Sequence, residues 1–322
     1  MEEAALTMQF VDGHSFKSAL AIAKVEAEEA SMMLTPTHIE IFFMNSDSSA
    51  NHRMTIEGRK IGTYIYNFRD EAGELKPYVA IGFKTVDLFN TLRGLARVDS
   101  LRIDLHDGRL AVQIIKAVKD SDRSNIMFVS LVNREHNGYI DLNDGYSKDC
   151  SVSLVSQDFS DVCTQAGTQK CKYLEIAPST DGIVFRGITP SESVAFISPK
   201  KSSRAVNLSQ PNADSKKLSE FLAQLKTGPN GATPVVAPTP IMTPAPQLLV
   251  ATNEELMTIR LLVATAKALT KIKDVGSKSA LLEIYFARAK PVKIVSPLGH
   301  FGSYIISLRT PLGIPTQARS AV

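Results

Sequence analysis

A chain of 322 residues is too long for one ordinary domain and about right for two. Its 44% hydrophobic and 21% charged residues are the composition of a globular protein, and no apolar run reaches the roughly 18 residues that a membrane helix needs. A net charge of +3, from 36 basic and 33 acidic residues, is too balanced to signal nucleic-acid binding by itself; DNA as a partner would require the positive charge to be sorted onto one surface.

In chain order, one pattern recurs four times: a strand, a short amphipathic helix, then two or more strands. The first unit is predicted as strand 6–11, helix 15–30 and strands 31–34, 39–44 and 53–56. The second is strand 78–83, helix 84–96 and strands 101–105, 110–115 and 126–132. The third is strand 151–155, helix 157–166 and strands 173–177, 183–186 and 193–197. The fourth opens with 248–260, whose end already turns helical, and continues with helix 261–273 and strands 281–286, 292–295 and 303–308. The chain therefore reads as a duplicated α+β domain, each half itself duplicated. The regularity is interrupted at 199–246. There six of the chain's 16 prolines fall between Gly228 and Pro246, an extended stretch that cannot build a core, preceded by a short amphipathic helix at 214–226.

Each helix carries an apolar stripe: Phe16, Ala19, Leu20, Ala23 and Ala27; Leu88, Phe89, Leu92, Leu95 and Ala96; Phe159, Val162, Cys163 and Ala166; Leu262, Ala266, Leu269 and Ile272. Opposite these stripes lie Lys17 and Lys24, then Arg93 and Arg97, then Lys267 and Lys271; the third helix offers only Ser160 and Thr164. A basic bias on three of four equivalent helices is the one sorted charge in the sequence. No phosphate-binding glycine loop, nucleophile elbow or HExxH is present, and the six histidines have no metal-ligand spacing. Cys150, Cys163 and Cys171 cannot all pair, which suggests a reducing compartment. The acidic start, Met1 to Ala5, lacks the segments of a signal peptide. Neither a cofactor nor a metal is expected, and the balance tilts toward a binding protein and away from an enzyme.

Leu6 to Gly13 leading into a lysine-bearing helix resembles the start of the proliferating cell nuclear antigen (PCNA) sliding clamps, and Met44 to Ser49 is similar to their short Met-Asp-Ser-Ser segment. Ala289 to Ile294 followed by Leu298 to Ile306 resembles the last two strands of such a clamp. The resemblance covers nearly the whole chain outside 199–246. It implies a DNA clamp fold of two pseudo-equivalent domains, 1–135 and 149–322, with a connector at 136–148. It further implies a homotrimeric ring around duplex DNA that tethers DNA polymerase and other replication and repair proteins. A separate clamp loader would open the ring, and the setting would be a nucleus or a viral replication site.

The resemblance also implies sites. The helix cations Lys17, Lys24, Arg93, Arg97, Lys267 and Lys271 would face the DNA. Met44, Tyr139, Ile140, Leu142, Pro291 and Tyr304 would form a pocket for partner peptides. Leu110, Ala111, Val112 and Ile114 would pair with a strand containing Val194 and Phe196 of the next subunit. Two features depart from the family: the third helix lacks its usual basic residues, and the charge balance is less acidic. The alternatives are a subunit of a checkpoint-type clamp, a clamp relative used in transcription, or an α+β enzyme whose site is not evident.

Overall fold

The computed structural model describes residues 4–106, 108–117, 126–132, 151–179, 182–191, 194–197, 258–287 and 290–311, with Ser179, Gly182 and 194–196 described at the backbone only. The first half runs β1 (Leu6–Phe10), α1 (Gly13–Glu26), β2 (Glu29–Leu34), β3 (His38–Met44), β4 (Ala50–Glu57) and β5 (Thr63–Tyr66). It continues with β6 (Val79–Lys84), α2 (Thr85–Thr91), β7 (Ser100–His106), β8 (Arg109–Ile115) and β9 (Ile126–Val132). The second half runs β10 (Ser151–Val155), α3 (Ser156–Thr168), β11 (Tyr173–Ser179), β12 (Gly182–Ile188) and β13 (Val194–Ile197). After 198–257, which include the proline-rich stretch and the helix expected at 214–226 and lie outside the described residues, come β14 (Ile259–Leu262), α4 (Val263–Leu269) and α5 (Ile272–Val275). The last strands are β15 (Leu281–Tyr285), β16 (Val292–Leu298) and β17 (Gly302–Leu308).

The sheet orders carry the duplication. The first half contains the runs β4-β3-β2-β6 and β9-β8-β7-β1-β5; the second contains β13-β12-β11-β14 and β17-β16-β15-β10. Each strand of the second half thus holds the place of a strand of the first. β5 has no counterpart among the described residues. The halves join where β17 pairs antiparallel with β4, from Gly302 opposite Ile56 to Leu308 opposite Ala50. This seam removes two open edges at once and makes a sheet of 13 strands.

The helices form one layer. α1 packs against α2, α4 and α5, and α3 packs against α4 and α5. Most of the predicted stripes are buried: Phe16, Ala19, Leu20 and Ala23 of α1, Leu88 of α2 with Leu92 and Leu95 after it, Phe159, Val162, Cys163 and Ala166 of α3, and Ala266 and Leu269 of α4 are in the core, whereas Ala96 is exposed in the turns after α2. Cys163 and Cys171 are free thiols, both buried, and burial pushes both thiols up from their ordinary range.

Four boundaries stand out among those that differ from the sequence reading. The first helix stops at Glu26 and not at Ala30, because Glu29 and Ala30 pair with Lys84 and Phe83 of β6. Strand pairing there overrides the helix preference of an Ala- and Glu-rich segment. α2 ends at Thr91, so Arg93 and Arg97 lie in the turns that follow it. Residues 259–262 are strand, not the start of a helix, because they pair with Ile176 to Tyr173 of β11. The predicted helix 261–273 is broken at Thr270 and Lys271 into α4 and α5.

Gly302 sets the closeness of the seam. A Cβ at this position would stand 2.0 Å from the Thr55 carbonyl oxygen on β4, which no side chain tolerates. Gly302→Ala is expected to splay the start of the seam and lower stability by about 1–3 kcal/mol, as overpacking of a fitted contact does. Denaturant unfolding of the two proteins checks this.

Candidate nucleic-acid and partner interface

The face of the helical layer turned away from the sheets is the candidate DNA surface, and its six predicted cations are not equivalent. Lys17 of α1 is half-buried, and its ammonium donates to the carbonyl oxygens of Arg93 at 3.0 Å and Leu95 at 2.9 Å. Burial first, and then the neighbouring charge of Lys116, lower its pKa; Asp99 partly offsets them. The expectation of six similarly free cations is corrected at this residue. Lys24, about two helical turns further on, lies with its ammonium 4.7 Å from the centre of the Phe89 ring of α2. Arg93 and Arg97 are exposed in the turns after α2. Lys267 is exposed on α4, and Lys271 is exposed between α4 and α5. The aliphatic stem of Lys267 crosses α3 where Gly167 has no side chain; a Cβ there would come within 3.2 Å of Lys267 Cε. α3, which has no cation of its own, therefore carries a lysine lent by its neighbour.

The predicted partner pocket divides. Tyr139, Ile140 and Leu142, and the whole connector at 136–148, lie outside the described residues. Met44 is 39% exposed at the end of β3, and Pro291, half-buried, immediately precedes β16. The paired row Met44, Asn51, Ser307 and Lys293 puts both at the same end of the four-strand run β3-β4-β17-β16, on either side of the seam. Three strand spacings of about 4.8 Å separate them. Tyr304 is a correction. It has no exposed surface, and its hydroxyl lies 2.8 Å from Nδ1 of His52, which stacks on Phe43. It is core and has no surface to offer a ligand. Tyr304→Ala is accordingly expected to cost about 3–5 kcal/mol of stability, as aromatic truncation in a core does, in thermal unfolding without any partner.

The subunit-interface expectation is corrected in part. Leu110, Ala111 and Val112 of β8 are flanked by β7 on one side and β9 on the other, so they have no edge left for another chain. Ile114 pairs with Leu101 of β7 and packs against the core. The strand with an open edge is β9: Leu131 and Val132 reach β6, but Ile126 to Ser130 have no partner on that side among the described residues. Phe128, 62% exposed, and Ile126 stand on this strand. β13, which contains Val194 and Phe196, is the end strand of its own sheet.

Where the halves meet beside the seam, a buried polar cluster has formed that the sequence reading did not single out. The turn 45–49 joins β3 to β4. Asn45 Oδ1 accepts from Ala50 N–H at 2.9 Å, while its amide donates to Ser49 Oγ at 2.9 Å and Thr265 Oγ1 of α4 at 3.4 Å. Asp47 accepts from the Ser49 amide and hydroxyl. Glu26, only 8% exposed at the end of α1, faces this cluster. Burial pushes its carboxyl up to about 7, hydrogen bonds from Thr265 and Asn45 pull it down, and Asp47 pushes it up further. Among the described residues no group of three or more His, Cys, Asp or Glu could hold a metal ion.

The fold is similar to a chain of the PCNA2–PCNA3 complex from Sulfolobus tokodaii, with a TM-score of 0.63 over 94% of this chain and 98% of that one, at 10% sequence identity. No family model matches the sequence, and no curated protein matches it. The chain has the PCNA-like clamp fold, an α+β architecture.

Glu26 and His52 give the molecule a pH signature. Glu26 is held protonated in the fold and ionises more readily in the unfolded chain, so stability falls as pH rises from about 4.5 toward 7. His52 is held neutral, its pKa pushed down to about 3 by burial, so stability falls as pH drops from about 6.5 toward 3. Glu26→Gln is expected to remove the first slope and gain about 1–3 kcal/mol at pH 8 while leaving the acid limb in place. Melting temperatures of both proteins from pH 4 to pH 9 check it.

Proposed function

We propose that this chain is a DNA sliding clamp: copies of it close head to tail into a homotrimeric ring that encircles duplex DNA and tethers a DNA polymerase. The observation that carries the reading is the duplication of the sheet orders together with the seam. β17 ends the second half and pairs with β4, the fourth strand of the first. β9 ends the first half and β13 is the fourth strand of the second, and both have open edges among the described residues. The joint between copies is then the pairing of β9 with β13 of the next copy, the same contact made between chains. Such a heterologous contact generates a ring when its rotation closes. Phe128 and Ile126 would be covered by the neighbour.

The helical layer would line the hole. Its cations, Arg93, Arg97, Lys267, Lys271 and Lys24, would hold phosphates without reading bases. Met44, Pro291 and the connector residues Tyr139, Ile140 and Leu142 would take an apolar partner peptide across the outer end of the seam. No catalytic activity of the chain itself belongs to this reading; a separate ATP-driven loader would open the ring, in a nucleus or at a viral replication site. A second reading, a ring of unlike clamp chains, is favoured by the similar structure, which is titled a complex of PCNA2 with PCNA3.

The test is native mass in dilute solution with and without Phe128→Glu. The wild type is expected at three times the chain mass, and the variant at one, with an unchanged circular-dichroism spectrum because Phe128 is exposed in the single chain. Topological retention completes it: the loaded wild type should stay on closed circular duplex and leave the same DNA once it is cut. A well-folded wild type that stays monomeric and shows no such difference would end the homotrimer reading; a trimer formed only with another clamp chain would favour the second.

A further inference from the structure

The turns after α2 hold the two arginines of the candidate DNA surface, both exposed, and the backbone there is organised around side chains from elsewhere. Three successive carbonyl oxygens, those of Arg93, Gly94 and Leu95, accept from two ammonium groups. Lys17 takes the first and third; Lys116, just beyond β8, takes Gly94 at 2.6 Å and also pairs with Asp99 at 2.8 Å. Asp99, 3% exposed, closes the arrangement from the far side, accepting from the Ala96 N–H at 2.8 Å and the Ala117 N–H at 3.3 Å. Leu95 is anchored in the core. With three carbonyls drawn inward and Leu95 buried, the side chains of Arg93, Arg97 and Val98 are left on the outside; Val98 is 70% exposed.

We propose that Lys17 and Lys116 are positioning residues that hold the loop 92–99 so that Arg93 and Arg97 meet the duplex, and that neither lysine contacts phosphate itself. The inference rests on the DNA-clamp reading above. Its basis is that each ammonium has two of its three N–H directions already committed, Lys17 to two carbonyl oxygens and the exposed Lys116 to the Gly94 carbonyl and the Asp99 carboxylate, whose negative charge opposes a phosphate. Arg93 and Arg97 keep their N–H directions. A charged donor to a carbonyl is also stronger than a neutral one, so two lysines bracketing three carbonyls restrain the backbone more than turn hydrogen bonds alone. The lowered pKa of Lys17, from burial and from the nearby Lys116, fits a partly desolvated ammonium held against the loop.

The proposal predicts non-additivity, because a positioning residue has nothing to act on once the positioned groups are gone. The proteins are the full-length wild type, Lys17→Gln, Lys116→Gln, Arg93→Gln with Arg97→Gln, and each lysine change in that arginine-less background. The probe is a linear duplex of random sequence, with association measured against salt, and amide exchange is followed at Ala96 and Ala117. Each lysine change is expected to speed exchange at these two amides by about tenfold or more, reporting local opening. Each should weaken duplex association in the wild-type background and leave it unchanged in the arginine-less one. Lys17→Arg, which can donate to the same carbonyls, should restore both readouts. If each lysine change instead weakens association equally in both backgrounds and lowers the salt slope by roughly 0.9 per lost contact, with exchange unchanged, the lysines touch phosphate and the proposal is overturned. If exchange accelerates but removal of both arginines leaves association unchanged, the loop restraint stands and the DNA reading on which the proposal rests is what fails.

Discussion

The pairing of β17 with β4 is the contact on which the rest of the molecule depends. Each of these strands ends a sheet within its own half, and each alone would present a row of unpaired backbone groups to water or to another chain. Joined, they align the two halves so that α1 reaches α4 and α5 and the helices become a single surface. The cluster of Asn45, Asp47, Ser49, Glu26 and Thr265 assembles only because the turn 45–49 arrives beside α4 through this seam. Met44 and Pro291 flank the same seam on the outside. One absent side chain, at Gly302, permits the approach.

Much of this architecture was legible in the sequence because most strands are long enough to show alternation, as in Ser-Leu-Arg-Ile-Asp-Leu-His of β7, buried at every second residue. The helix stripes were equally plain. Boundaries failed where long-range pairing outvoted local preference: Glu29 and Ala30 belong to a helix by composition and to a strand by their partners on β6. β5 was overlooked, although Thr-Tyr-Ile-Tyr has strand residues throughout, because four residues at a sheet end are too few for a period to stand out.

The functional surface was legible as composition and not as geometry. Opposition to an apolar stripe correctly separated Lys267 from the core, but it cannot tell a free ammonium from one spent on carbonyls 76 and 78 residues away, which is the position of Lys17. Nor can it tell an aromatic at the surface from one at the centre: Tyr304 opens a run to Leu308 that is buried without alternation, and its hydroxyl meets His52 of β4. The error at β8 has the same origin. An apolar alternating strand can sit at an edge or inside a sheet, and the sequence holds no sign of what lies on either flank. The buried polar cluster had a faint signal in Asn45, Asp47 and Ser49, read only as part of a resemblance.

If the proposed joint of β9 with β13 forms between copies, the duplication places two strand pairs of equivalent position in different regimes. Within a chain, β17 and β4 are tied by the polypeptide, so whenever they part they meet again at an effective concentration fixed by geometry and indifferent to dilution. An equivalent joint between copies has no tether, and its closure must compete with the number of copies per unit volume. Identical hydrogen bonding would thus give one joint a persistence set by folding and the other a lifetime set by supply. A ring built on this plan has its opening points assigned by covalent connectivity alone, before any difference in side chains between the two joints is counted.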